Sequence, residues 1–140
     1  MQLWVLGGHK LTWLPDASKK LFRSAVTRGW DHDKGGLFYT LDFENRPALR
    51  YKIWWPATEA IGAAAFIAEH DADPFFEDWY RRVWSFSTNH FIDPANGGWF
   101  PELGEDQHLL LARCHHLGDL AQADELAALR LRPLTIVQPV

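Results

Sequence analysis

One pattern occurs twice in this chain at a fixed offset. Asp31, Gly35, Gly36, Phe38 and Leu41 return as Asp93, Gly97, Gly98, Phe100 and Leu103, each 62 positions later, so that five of the eleven positions in the two segments are identical. Stretches of helical character lead into both copies, and Lys20-Leu21-Phe22 falls on Arg82-Val83-Trp84 at the same offset. What repeats is a helix together with the loop that ends it. A period near 60 exceeds that of most solenoid units and suits a pair of helices joined by an elaborate connection.

The elements around the two loops follow from periodicity and punctuation. From Pro15-Asp16, apolar residues Leu21, Phe22, Ala25 and Val26 share one helical face until Gly29 closes the element. Gly35-Gly36 permits a tight turn into residues 37–41, and turn formers at 42–47 precede 48–53, which predicts a short β-hairpin between helices. Pro56 suits a first helical position with Glu59 in the first turn, and the Ala-rich run to Ala68 is apolar nearly all round, the pattern of a buried helix. Asp71 to Pro74 breaks that helix and caps the next, on which Phe75, Phe76, Trp79, Tyr80, Val83 and Trp84 make an amphipathic stripe. After Glu105 the pattern weakens. Residues 107–117 and 119–130 have helical propensity, and residues 131–140 read as an irregular tail. The expected organisation is one domain over residues 1–140, with 106–140 atypical.

At 140 residues, 47% apolar, with eight Trp and nine Phe, the chain is long and apolar enough to bury a single aromatic-rich core. Its net charge of −4 is mixed along the sequence and offers no basic stripe, which argues against a nucleic-acid partner. No apolar run approaches a membrane span, which argues against a membrane partner. The single Cys114 excludes an internal disulfide and predicts a reducing, cytoplasmic setting.

Two clusters carry possible chemistry. Trp54-Trp55-Pro56 with Glu59 sets two indoles at a helix mouth and a carboxylate one turn in; flat aromatics cover the C–H faces of sugars while charged groups fix the hydroxyls. The same spacing also fits two core tryptophans and a glutamate that only complements the helix dipole. Gly7-Gly8-His9 presents an open imidazole, a side-chain type suited to general acid/base work and equally to plain solvation. His32, His70 and His90 sit at expected helix ends or loops, and adjacent His115 and His116 lack the spacing of a metal site.

Together, Gly7-Gly8-His9 with Trp13, the Trp54-Trp55-Pro56 and Glu59 segment, and Asn96-Gly97-Gly98-Trp99-Phe100-Pro101-Glu102-Leu103 resemble the N-acylglucosamine 2-epimerase superfamily, especially its mannose isomerase and sulfoquinovose isomerase branch. The resemblance covers about Gly7 to Asp106. It implies a mainly α fold, an incomplete (α/α)6 toroid of helical hairpins with short β-hairpin excursions, and a sugar pocket at its mouth. It further implies proton transfer at C1/C2 of an aldose or ketose without metal or other cofactor, with His9 as acid/base and Trp54, Trp55 and Glu59 at the sugar. Where the family carries a glutamate beside the histidine this chain has Thr12, no match to the family's second catalytic histidine is found, and about half of the toroid lies before the Gly-Gly-His motif. The expectation is therefore a C-terminal portion of a sugar isomerase or epimerase with weak or no turnover. The alternatives are a non-catalytic carbohydrate-binding or assembly module, self-associating through open barrel edges, and a helical domain that retains only the packing.

Overall fold

A computed structural model describes residues 1–110. Its elements in chain order are α1 (Gln2–Leu6), α2 (Leu14–Gly29), β1 (Thr40–Leu41), β2 (Pro47–Leu49), β3 (Lys52–Ile53), α3 (Trp54–Ala68), α4 (Pro74–His90) and β4 (Glu102–Leu103). β1 pairs antiparallel with β2, and β3 pairs antiparallel with β4 in the register Lys52↔Leu103, Ile53↔Glu102.

Helix α4 forms where the sequence analysis places it. Asp73 takes an extended backbone and its Oδ1 accepts the Phe75 N–H at 3.0 Å, while Pro74, which has no N–H to leave orphaned, opens the helix. Its buried face, Phe76, Trp79, Val83, Phe86 and Ser87, meets the Ala57, Ile61, Ala64 and Ile67 face of α3, whose alanines let the two backbones approach. Each large apolar side chain sunk in this seam contributes about 1.5–3 kcal/mol. Helix α2 adds Phe22 and Val26 to the same core. Lys19 to Asp71 (2.9 Å) and an Arg23–Asp73 pair join it to the α3–α4 connection, and the Arg23 guanidinium lies 4.0 Å from the Phe75 ring centroid.

Three expectations need correction. Helix α3 starts at Trp54, two residues before Pro56; a proline third in the helix is tolerated because that N–H has no intrahelical acceptor. Glu59 consequently lies beyond the first turn and does not serve the helix dipole. Helix α3 is not buried all round: Trp55, Glu59, Gly62, Ala63 and Ala65 are exposed, because among the described residues α2 and α4 cover only part of it. Residues 107–110 form a turn and a bridge instead of a helix start, and the other helix and tail expectations lie outside the described residues.

The 62-residue repeat extends well beyond the shared letters. Asp31 N–H to Gly36 O (2.8 Å), Gly35 N–H to Asp31 O (2.8 Å) and Phe38 N–H to Gly29 O (2.9 Å) recur as Asp93 to Gly98 (3.1 Å), Gly97 to Asp93 (3.0 Å) and Phe100 to Phe91 (2.6 Å). In both loops the aspartate Oδ1 accepts the N–H groups two and three residues on, and both glycines are left-handed, with φ of 79° and 81° in the first loop and 75° and 85° in the second. The following turns match as well. Asp42 N–H to Arg46 O and Asn45 N–H to Asp42 O correspond to Gly104 N–H to His108 O and Gln107 N–H to Gly104 O, with Asn45 and Gln107 both at positive φ. Residues 104–108 thus belong to the repeat.

Candidate functional site

An open groove of about 770 Å³ runs between α2 and α3 and is floored by the extended segment 37–41. Trp55 and Glu59 line it from successive turns of α3, and Leu21 and Ala25 line it from α2. Among the described residues Glu59 is the one charged side chain in the lining, and the volume falls within the range of small-molecule sites. Trp55 is 47% exposed. The Tyr39 ring meets it edge-on (centroids 6.5 Å apart, 83°) and stacks on Tyr51 (5.3 Å, 22°), so the indole stands against an aromatic support with a face left open. An aromatic face beside a lone carboxylate suits an uncharged polyol better than an anion.

What aims α3 is a buried ion pair. Lys52, in β3 two residues before Trp54, is fully buried, and its Nζ donates to Asp31 Oδ2 at 2.9 Å. Asp31 Oδ1 accepts the Asp33 and Lys34 N–H groups, each at 3.1 Å. Burial pushes the Asp31 carboxyl upward, but the Lys52 ammonium and the loop N–H groups outweigh it and hold the group below its ordinary value. Lys52 packs against the first Gly-Gly loop: a Cβ at Gly36 would lie 2.7 Å from Lys52 Cδ and 2.5 Å from Phe86 Cζ. Burial, then the nearby Lys52 charge, lowers the pKa of His90, whose ring stacks on Phe86. The Asp-Gly-Gly loop, β3 and α4 are locked together in this way, and α3 leaves that lock with Trp55 facing out.

The four predicted site residues separate. Trp55 and Glu59 share the groove. Trp54 is half-buried against the core, with its ring 6.2 Å from that of Trp99, and does not line the groove. His9 is exposed at φ 64° with its ring on Trp4 (4.1 Å between centroids), outside the groove lining. Tyr39 was missed: the sequence marks it as following a Gly-Gly turn in an extended stretch, but not which way the strand faces. A second cleft, of about 690 Å³, is lined by Lys34, Arg50, Tyr51, Asp106 and His108, yet its charges are engaged, Arg50 with Glu105 and His108 with Asp106. Among the described residues no group of three or more His, Cys, Asp or Glu could hold a metal ion, and no helix is long and apolar enough to cross a membrane.

The family profile described as N-acylglucosamine 2-epimerase (GlcNAc 2-epimerase) matches residues 1–116. The chain belongs to the N-acylglucosamine 2-epimerase family. Within it, the chain is 42% identical over 94 residues to a D-mannose isomerase of Pseudomonas cannabina pv. alisalensis, covering 66% of this chain and 23% of that protein. It is 33% identical over 118 residues to human N-acylglucosamine 2-epimerase, covering 75% and 28%. A crystal structure of D-mannose isomerase matches with a TM-score of 0.73 at 29% identity, over 77% of this chain and 28% of the other. A cellobiose 2-epimerase from Spirochaeta thermophila matches with a TM-score of 0.66 at 18% identity, a likeness of fold. The chain thus spans roughly a quarter of the length of these relatives.

Proposed function

We propose that this family member carries one wall of the sugar site of an aldose–ketose isomerase or 2-epimerase of the mannose–fructose type, and that α1 to α4 are two hairpins of an (α/α)6 toroid. The observation that carries the reading is the pairing of a half-exposed indole, Trp55, with Glu59 one turn on, in a groove that holds no other charged side chain among the described residues. The indole covers the C–H face of the ring, and the carboxylate accepts hydroxyl hydrogen bonds. Trp54, packed inside, anchors the first turn of α3 instead of touching sugar. The single Cys114 suits a cytoplasmic setting.

The proposed chemistry removes a proton from the carbon beside the sugar carbonyl and returns it to the neighbouring carbon or to the opposite face. This requires an acid and a base within hydrogen-bond reach, and a misplacement of one ångström costs on the order of 100-fold. His9 is the assigned acid/base, but its imidazole rests on Trp4 outside the groove. Weak or absent turnover by this chain alone is consistent with that placement. The exposed Trp55 favours a second reading, a carbohydrate-binding module without turnover. Incubation with mannose, fructose and N-acetylglucosamine in D2O, followed by NMR at C2, tests the assignment. The expected result is at most trace deuterium incorporation; enzyme-like exchange that disappears in His9→Ala would show that the chain is a competent catalyst.

A further inference from the structure

The two Asp-Gly-Gly loops share a backbone but not a chemistry. The residue before the first left-handed glycine is Lys34 in one and Asn96 in the other. Of the three asparagines in the chain, Asn96 alone precedes a glycine; Asn45 is followed by Arg46, and Asn89 by His90 inside α4. That order matters because a backbone nitrogen can attack the side-chain amide carbon of the asparagine before it. Glycine, without a Cβ, leaves the approach clear and the backbone free to reach it. Asn96 and Gly97 are both exposed, and among the described residues nothing lies within 4 Å of a Cβ built at Gly97.

The loop also shows what restrains this attack. Asn96 Nδ2 donates to Asp93 Oδ2 at 3.0 Å, the Asn96 N–H to Asp93 Oδ1 at 3.2 Å, and the Gly97 N–H to Asp93 O at 3.0 Å. The amide that would leave and the nitrogen that would attack are thus tied to one residue. The Asn96 amide, and after it the Ala95 and Asn96 N–H groups, hold the Asp93 carboxyl below its ordinary value, so it is an anion at neutral pH. In the first loop the matching aspartate, Asp31, is buried and bonded to Lys52, and Phe86 packs against both glycines. Asp93 is half-buried, and the side chain bonded to it is that of Asn96.

We propose that Asn96 is a self-modification site, which converts to aspartate and isoaspartate through a cyclic imide with Gly97 whenever the loop releases both groups from Asp93. The Gly97 nitrogen gives up its proton and bonds to Asn96 Cγ; the Cγ–Nδ2 bond breaks, and Nδ2 leaves as ammonia, carrying that proton. Water then adds at either carbonyl carbon of the imide and reopens it to an aspartyl or an isoaspartyl link. Nothing is oxidised or reduced, and solvent water is the co-reactant. Either product sets a second carboxylate against Asp93 and removes the donor on its Oδ2; the isoaspartyl form also lengthens the main chain by one carbon. The change falls between Asp93 and β4, where Pro101 O accepts the Trp54 N–H (3.3 Å) and Leu103 pairs with Lys52. Loosening there reaches the start of α3. The inference rests on the loop and stands apart from the sugar reading.

The full chain, held in mildly alkaline buffer at physiological temperature and sampled over weeks, tests the proposal by peptide mapping with mass spectrometry and enzymatic detection of isoaspartate. A synthetic peptide of residues 91–100 serves as the unrestrained reference. Conversion is expected at Asn96, to both products, at least about threefold slower than in the peptide, and urea should bring the chain to the peptide rate. Asp93→Ser keeps an oxygen for the loop N–H groups but none for the Asn96 amide, and should convert at least about threefold faster than the parent. The same change in the peptide should leave its rate unaltered, which separates a lost restraint from altered chemistry. Aged chain, resolved from fresh by anion exchange, should melt at least about 2 °C lower. An Asn96 still intact after the peptide has converted, or an Asp93→Ser chain no faster than the parent, would overturn the proposal; aged chain that melts with the fresh would overturn the step to β4.

Discussion

Replacing Lys52 by Met removes an ammonium from the interior while keeping an unbranched stem against Gly36 and Phe86. The side chains of Lys52 and Asp31 are 0% and 5% exposed, and their contact is 2.9 Å. Breaking such a pair from one side destabilises a protein by about 3–5 kcal/mol, because the remaining charge stays buried. The Asp31 carboxylate keeps its two loop N–H donors, which places the expected loss near the lower end, about 3 kcal/mol. Against a typical domain stability of about 5–15 kcal/mol, that loss is large. Urea unfolding followed by tryptophan emission should show the midpoint falling by about 1–3 M for an m-value of about 1–3 kcal/mol/M, with the slope preserved. Adding Asp31→Asn removes the stranded charge, so the double variant should recover part of the loss. A single variant within about 1 kcal/mol of the parent, or a double variant no more stable than the single, would refute the claim that this pair locks β3 in place.

The two Gly-Gly loops supply an internal control: Gly36→Ala and Gly98→Ala both force a side chain into left-handed backbone, at about 1–2 kcal/mol, but only the first meets Phe86 and Lys52, adding about 1–3 kcal/mol, so thermal melts should rank Gly36→Ala well below Gly98→Ala. Because the Asp31 carboxyl is held below its ordinary value of 3.8, the stability it contributes is fully present above that value and is lost as pH falls through the lowered one. The stability gap between the parent and Asp31→Asn should accordingly be flat near neutrality and shrink in acid, as read by urea titrations at stepped pH. Asp73→Ala removes the α4 cap and the Arg23 ion pair and should lose at least about 1 kcal/mol by chemical denaturation.

The loops at Asp31 and Asp93 were legible because their chemistry restricts the letters: left-handed backbone calls for glycine, and the aspartate must reach two N–H groups. The turns at 42–46 and 104–108 share the same backbone hydrogen bonds with no letter in common at matched positions, since Asn45 and Gln107 both reach positive φ. The helical turn closed by Gly7 N–H to Leu3 O repeats, 62 positions on, as the one closed by Glu69 N–H to Ala65 O, again with no letter in common, as a helical turn demands no particular residue. Of the site, the four-residue spacing of Trp55 and Glu59 was enough to place them on one face. Which of the two adjacent indoles turns outward depends on the pairing of β3 with β4, a contact fifty residues apart in sequence that local pattern does not encode. The apolar girth of α3 reads as burial all round, yet among the described residues part of that surface is open, and the groove lies there.

Titration of the chain with mannose and with fructose, monitored by indole emission, tests most directly whether the Trp55–Glu59 groove receives sugar. A saturable change is predicted for the parent, abolished in Trp55→Ala and at least about tenfold weaker in Glu59→Gln, with unfolding midpoints little altered because both positions are solvent-exposed. No saturable change in the parent, or the same change in Trp55→Ala, would contradict the account.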